Sequence, residues 1–241
     1  MKSVNRWYSP RIERDVTVVR WGTYGLPVLV FPTAGGDAEE IERMRLLDVL
    51  DPLVEGGRIK VYSCDSVAGR AMVNEEGTPR YRTWLLNGFH EFVYHELVPA
   101  IRSDCANDSI GVIAAGSSIG AFNALAVQCR YPDAFTHAIC MSGTYDISRF
   151  MSGQWDDDLF FSSPLHFLPG MDGPQLEQLR SRFVLLSSGE GDYEDIGQSW
   201  RVAAVLGEKG IPNRVDGWGP AYEHNWPTWR AMLPQYLDQI V

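Results

Sequence analysis

Two kinds of hydrophobic pattern alternate along this chain. Short apolar runs, typical of strands buried on both faces, are separated by longer segments in which apolar residues recur with helical spacing. The clearest pair is the continuous apolar run Pro27–Phe31 and the amphipathic segment Glu39–Leu50. Because strands that alternate with helices pair side by side in one direction, the pattern predicts a mostly parallel central sheet with helices on both faces.

The alternation continues to the end of the chain, with one interruption. Strands are predicted at Trp7–Ile12, Asp15–Trp21, Pro27–Phe31, Arg58–Cys64, Ile110–Ala115, Ala138–Met141, Phe183–Leu186 and Arg214–Asp216. Helices are predicted at Glu39–Leu50, Trp84–Ile101, Ala121–Arg130, Trp200–Lys209 and Trp229–Ile240, and Asp65–Thr78 is interpreted as a polar loop. From Tyr145 to about Ser181 the periodicity is lost. We therefore expect one domain, residues 1–241, with a small cap-like insertion at about 145–181.

The most informative motif is Gly116–Gly120, which reads G-x-S-x-G with Ser118 at its centre. The apolar run Ile110–Ala115 precedes it and the helical run Ala121–Arg130 follows it. A serine at such a strand-to-helix turn stands on a strained elbow that exposes its hydroxyl. The flanking glycines let strand and helix approach where a Cβ would clash. The motif predicts a nucleophile at Ser118; an ordinary glycine-rich turn is the competing interpretation.

A serine hydroxyl is a poor nucleophile and needs an adjacent general base, most often a histidine. In α/β-hydrolases the nucleophile, the acid and the histidine follow one another along the chain. Of the five histidines, only His224 follows the last predicted strand. His224 is therefore the predicted base, and the alternative is a loop histidine at the start of the final helix. His166 lies in the insertion and is a candidate for substrate contact.

The acid that orients the histidine is expected after the predicted strand Phe183–Leu186. A carboxylate there would hold the imidazole in the correct tautomer and stabilise the imidazolium. Asp146, after the preceding strand, competes for the same role. The loop that follows Phe183–Leu186 contains four carboxylates, Glu190, Asp192, Glu194 and Asp195.

An oxyanion hole needs two backbone N–H donors. One is expected from Ile119, the residue after the nucleophile, and the other from the loop after the third strand. That loop is Pro32–Gly36, in which Ala34 and Gly35 are well placed. A nucleotide-phosphate loop is disfavoured because no Lys-Ser/Thr pair follows the glycines.

The charge and composition of the chain disfavour several classes of binding partner. A net charge of −10 and a pI near 4.9 disfavour nucleic acid and anionic membrane as main partners. No apolar run approaches membrane-spanning length and the N-terminus lacks a signal-peptide pattern, so a cytoplasmic location is expected. The four cysteines form no C-x-x-C pair, and neither a zinc site nor a cofactor is expected. A homo-oligomer is compatible with the sequence.

The chain resembles the esterase group of α/β-hydrolases that includes esterase D, feruloyl esterase domains and the mycolyltransferases. The similarity runs from about Pro27 to Leu237 and rests on Val28–Gly36, Ala115–Ala121 and His224–Trp229, the last being similar to the group's H-D-W-x-x-W. The resemblance implies Ser118 as nucleophile, His224 as base and an oxyanion donor at Ala34. It also implies an acid in a G-x-x-D arrangement, which Gly189–Asp192 matches. The sequence departs from the group in having Asn225 after the histidine and Pro32-Thr33 where many relatives have H-G or D-G.

These observations predict a serine hydrolase that cleaves carboxylic esters of small molecules. For the acid, Asp192 is preferred, Glu194 is second and Asp146 third. An acyltransferase using the same site and a non-catalytic binding protein on the same fold are the alternatives. A metalloenzyme built on the acidic run Asp156–Asp158 is the weakest option, because solvated acidic turns are far commoner. In the insertion, the candidate substrate contacts are Trp155, Phe160, Phe161 and His166. The competing interpretation is that the aromatic residues of this segment form its own core.

Overall fold

The computed structural model describes residues 1–241. Its strands are β1 Lys2–Ser9, β2 Arg14–Trp21, β3 Leu26–Phe31, β4 Ile59–Cys64, β5 Val112–Ser117, β6 Phe135–Met141, β7 Phe183–Ser188 and β8 Asn213–Gly217. They form one sheet in the order β1-β2-β4-β3-β5-β6-β7-β8. The β1–β2 and β2–β4 pairs are antiparallel, and every other pair is parallel. The mostly parallel sheet predicted from the hydrophobic pattern is confirmed.

Helices cover both faces of the sheet. They are α1 Glu40–Arg43, α2 Leu46–Glu55, α3 Val67–Val73, α4 Pro79–Phe92, α5 Val98–Asp104, α6 Ile119–Arg130, α7 Asp157–Ser162, α8 Pro164–Phe167, α9 Gly173–Leu179, α10 Ile196–Glu208 and α11 Trp226–Ile240. A π-helical turn at Val93–Leu97 and two 3₁₀ turns at Ser148–Phe150 and Leu168–Gly170 complete the secondary structure. None of the helices is long and apolar enough to span a membrane.

Two apolar cores lie on opposite faces of the sheet. The smaller core joins α1, α2 and α11 to one face of the central strands. The larger core joins α3 to α6, the helices between β6 and β7, and α10 to the other face. Strands β4 and β5 are buried along their whole length because they have neighbours on both edges and helices on both faces. This explains why the central strands read as continuous apolar runs rather than as alternating ones.

Several local predictions need correction. The segment Asp65–Thr78 contains α3, whose apolar side chains are buried against the larger core, so it is not only a polar loop. The predicted helix Trp84–Ile101 is divided by the π-helical turn directly before α5, where Pro99 lacks the amide hydrogen that a regular helix would use. The first strand begins at Lys2 rather than Trp7, and all eight of its residues pair with β2.

The segment between β6 and β7 folds into short helices that pack beside the sheet. Asp156 accepts a hydrogen bond from the Thr83 hydroxyl at 2.7 Å, and Asp158 accepts one from the Asn87 amide at 2.8 Å. The Arg82 Nε donates to the carbonyl of Phe150 at 3.1 Å. These bonds attach the segment to α4.

Candidate active site

Ser118 occupies the sharp turn between β5 and α6. Its backbone adopts φ 58° and ψ −121°, a region that is costly for a residue with a side chain. The Ser118 amide donates to the carbonyl of Met141 at 3.0 Å, which ties the turn to the end of β6. A Cβ on Gly116 would collide with the backbone of Gly120, and a Cβ on Gly120 would collide with the carbonyl of Phe31. The two glycines are therefore required by the close approach of α6 to β3 and β5.

Ser118 and His224 line the same surface depression. Its volume is about 410 Å³, and its other walls are Thr33, Ala34, Gly35, Asn225, Trp226 and Trp229. The depression lies at the carboxyl ends of the parallel strands, where ligands bind in open α/β sheets. It brings together the predicted nucleophile, the predicted base and the predicted oxyanion loop.

The loop that carries His224 is joined to the acidic loop after β7 through main-chain bonds. The His224 amide donates to the carbonyl of Asp192 at 3.1 Å, and the Gly191 amide donates to the carbonyl of Tyr222 at 3.0 Å. A Cβ on Gly189 would collide with the same Tyr222 carbonyl. The close contact of the two loops thus requires glycine at position 189 of the acidic loop.

Glu194 lies behind His224. The side chain of Glu194 is 1% exposed, and its Oε2 is 3.8 Å from Nδ1 of His224. This distance exceeds a hydrogen bond, but catalytic hydrogen bonds are often long in the absence of substrate. Burial favours the neutral acid, yet His224 and the hydroxyls of Ser142 and Ser188 outweigh it and hold the pKa of Glu194 below its usual value. Glu194 is therefore a buried carboxylate that favours its charged form.

Hydroxyl and indole donors fix the Glu194 carboxylate. The Ser142 hydroxyl donates to Oε1 at 2.5 Å and in turn accepts a hydrogen bond from the Trp229 indole at 2.9 Å. The Ser188 hydroxyl lies 2.9 Å from Oε2 and 2.8 Å from the carbonyl of Gly189, and its single proton serves one of them at a time. The Trp229 ring also packs edge-on against the imidazole of His224, with 5.2 Å between ring centroids. Trp229 thus contacts both the His224 imidazole and the Ser142 hydroxyl that bonds to the Glu194 carboxylate.

The preferred acid, Asp192, does not reach His224 with its carboxylate. Asp192 is exposed, and only its main-chain carbonyl contacts the histidine. Asp146 accepts hydrogen bonds from the amide and hydroxyl of Ser148, which hold its pKa below the usual value. Among the three candidates the structure brings only Glu194, the second choice, against the imidazole. This geometry favours Glu194 over Asp192 as the acid.

Two residues of the oxyanion loop that line the depression have backbone amides without a partner in the protein. Neither the Ala34 amide nor the Gly35 amide donates a hydrogen bond within the protein. Ile119 is the first residue of α6, so its amide has no partner one turn earlier in the helix. The N–H groups of these three residues are the predicted oxyanion donors, and the geometry leaves them available for a ligand.

The four candidate substrate contacts in the insertion lie outside this depression. Phe160 and Phe161 line a separate depression near the end of α6, because α7 is attached to α4 rather than placed over Ser118. Trp155 is exposed and packs perpendicular to His166, with 4.5 Å between ring centroids. A role in substrate contact therefore stays a prediction for these residues.

The sequence assigned no role to Ser142, Ser188 or Trp229, although Trp229 ends the motif His224–Trp229. A signal was present for the two serines, because each stands at the carboxyl end of a parallel strand, at the same edge as Ser118. Trp229 lies one helical turn beyond Asn225, whose side chain caps α11 by accepting the Thr228 amide at 3.1 Å. That cap fixes the start of the helix and with it the direction of the indole.

With this geometry in place, comparison with known proteins identifies the family. The family described as "Putative esterase" matches residues 47–240. The chain belongs to this family. No curated protein matches the sequence.

Solved structures share the fold. A ferulic acid esterase superposes with a TM-score of 0.75 at 15% identity, covering 100% of this chain and 99% of its own. An S-formylglutathione hydrolase from Agrobacterium tumefaciens gives 0.73 at 13% identity, covering 99% and 94%. MPT51 from Mycobacterium tuberculosis gives 0.69 at 16% identity, covering 100% and 97%. At these identities the similarity shows the α/β-hydrolase fold, while family membership supports a hydrolase that acts on esters.

Proposed function

We propose that this esterase is a serine carboxylesterase whose nucleophile is Ser118, whose general base is His224 and whose triad acid is Glu194. The observation that carries the proposal is the shared depression of Ser118 and His224, with the buried Glu194 carboxylate behind the imidazole. The donors of the oxyanion hole are the amides of Ala34 and Ile119. The fold alone does not determine this chemistry; the arrangement of these side chains supports it.

The reaction proceeds in two halves. The Ser118 hydroxyl attacks the ester carbonyl while His224 takes its proton, and the developing oxyanion is held by the two amides. The imidazolium, stabilised by the Glu194 charge, gives the proton to the leaving alcohol as the ester C–O bond breaks. Water then attacks the acyl-enzyme with His224 as base, and the carboxylic acid leaves as Ser118 regains its proton.

The walls of the depression suit a small ester. Trp226 and Trp229 provide aromatic surface beside His224, while the oxyanion loop closes the opposite side. Two of the structural neighbours are named a ferulic acid esterase and an S-formylglutathione hydrolase. For this chain we propose only the broader substrate class of small acyl esters.

A fluorophosphonate probe tests the assignment. Because such a probe reacts with an activated serine, we expect label on Ser118 alone, located by peptide mapping. The Ser118→Ala variant should lose the label and about a thousandfold or more in kcat/KM on p-nitrophenyl esters. Ser109→Ala, which changes an exposed serine, is the matched control and should behave as the unmodified protein. Labelling that persists in Ser118→Ala would refute the nucleophile.

A further inference from the structure

Glu40, at the start of α1, is a buried carboxylate beside the oxyanion loop. Only 6% of Glu40 is exposed, yet no basic side chain pairs with it; Arg43 of the same helix pairs with Asp37 instead. A buried carboxylate without a counter-ion is costly unless strong donors satisfy it. Its donors both come from Thr33: the Thr33 amide at 2.8 Å to Oε2 and the Thr33 hydroxyl at 2.6 Å to Oε1.

These two bonds fix the residue that precedes Ala34. The Thr33 carbonyl is fixed as well, because it accepts the Gly36 amide at 3.1 Å. The peptide that links Thr33 to Ala34 is planar and trans, so the Ala34 N–H must point away from the Thr33 carbonyl. Holding Thr33 at three atoms therefore sets the direction of the Ala34 N–H.

The Glu40 carboxylate packs closely against Gly36. A Cβ on Gly36 would collide with the Glu40 carboxylate and with Pro32. The carboxylate therefore fills the inside of the turn from Thr33 to Gly36. Both carboxylate oxygens can only accept, so they select one orientation of the two Thr33 donors.

We propose that Glu40 is the positioning residue of the oxyanion hole: it clamps Thr33 so that the Ala34 N–H stays directed at the carbonyl oxygen of the substrate. This inference rests on the proposed ester hydrolysis. Glu40 does not touch substrate; it acts through Thr33. Preorganised donors stabilise charge that develops in the transition state more than they stabilise the ground state. Loss of the clamp should therefore lower kcat and leave KM nearly unchanged.

The central variant is Glu40→Gln, which keeps the size of the side chain but removes its charge and leaves a single acceptor oxygen where Thr33 presents two donors. Removing a whole oxyanion donor costs on the order of a hundredfold to a thousandfold in kcat. For a misdirected donor we expect a loss of about tenfold to a hundredfold. Glu39→Gln is the matched control, because the Glu39 side chain is half-exposed and bonded to Lys2, and it should leave the kinetics unchanged.

A boronic acid separates transition-state positioning from a merely structural role. Its tetrahedral adduct with Ser118 places an oxygen in the oxyanion hole, so its affinity should fall in Glu40→Gln by the same factor as kcat/KM. Thr33→Ser retains both donors and should lose far less boronic acid affinity than Thr33→Val. Thr33→Val removes the hydroxyl and should fall between Thr33→Ser and Glu40→Gln; it tests the same clamp if Glu40→Gln does not fold.

Two results would overturn the proposal. One is a folded Glu40→Gln or Thr33→Val variant with unchanged kcat and unchanged boronic acid affinity. The other is a loss of activity without any change in boronic acid affinity. Both results differ from a failure of the proposed function. In that case the unmodified protein itself would not react with the fluorophosphonate probe at Ser118.

Discussion

Two buried glutamates flank the depression, and they differ in what they face. Glu194 accepts hydroxyl donors and lies against His224, a group that becomes positively charged in the proposed reaction. Glu40 accepts the amide and hydroxyl of Thr33 and faces no group that changes charge. The same acceptor-only side chain thus serves an electrostatic task on one side of the site and a geometric task on the other. Neutralising each of them should therefore have effects of different size and kind.

The largest loss of activity is expected when the charge of Glu194 is removed. Glu194→Gln keeps the shape but removes the charge that stabilises the imidazolium and the acceptor that sets its tautomer, so kcat should fall by up to about 10⁴. Steady-state kinetics on p-nitrophenyl esters at matched thermal stability measures this loss. Glu190→Gln, on the exposed part of the same loop, is the control and should cost little. If Glu194→Gln lost no more than Glu40→Gln, the contrast between the two glutamates would be wrong.

A smaller effect is expected from the indole that orders the acid. Trp229→Phe keeps an aromatic ring against His224 but removes the N–H that bonds to Ser142. One hydrogen bond contributes about 1 kcal/mol, so we expect a loss of roughly fivefold to tenfold in kcat/KM with little change in KM. Trp200→Phe, at an exposed tryptophan, is the matched control. An unchanged kcat in a folded Trp229→Phe variant would show that Ser142 orders Glu194 without help from the indole.

The smallest effect is expected at the exposed carboxylates. Asp192 contacts His224 through its main-chain carbonyl, which the substitution Asp192→Asn leaves in place. Solvent screens the charge of an exposed carboxylate, so Asp192→Asn and Asp146→Asn should each lose less than about tenfold in kcat/KM. A loss of a thousandfold in Asp192→Asn would return the acid role to Asp192 and leave Glu194 as a structural residue.

The sequence predicted the elements of the site that depend on local pattern. The Ser118 elbow follows from an apolar run, a glycine-flanked serine and a helical run, and His224 follows from its place after the last strand. The choice between Asp192 and Glu194 could not follow in the same way. Tyr193 between them adopts φ 63°, the left-handed region, which reverses the chain and sends the two carboxylates in different directions. The presence of a tyrosine at this position does not predict a left-handed backbone conformation.

The side-chain contacts between distant segments could not be predicted from the hydrophobic pattern either. The aromatic residues Phe160 and Phe161 suggested a pocket lining, but the neighbouring Asp156 and Asp158 attach their helix to α4. Such side-chain bonds join residues about seventy positions apart, and the spacing of apolar residues carries no information about them. The fold class was predictable because periodicity is repeated along the whole chain, whereas each of these contacts occurs once.

The main-chain bonds between the histidine loop and the acidic loop have a consequence for how this esterase could be altered. Since the amides of His224 and Gly191 hold the two loops together, the outward side chains on these loops are not needed to keep the base and the acid in register. Tyr193, which is 93% exposed, is therefore a position at which substitution should leave the two loops in contact. A library restricted to this position should yield folded variants that retain activity on p-nitrophenyl esters.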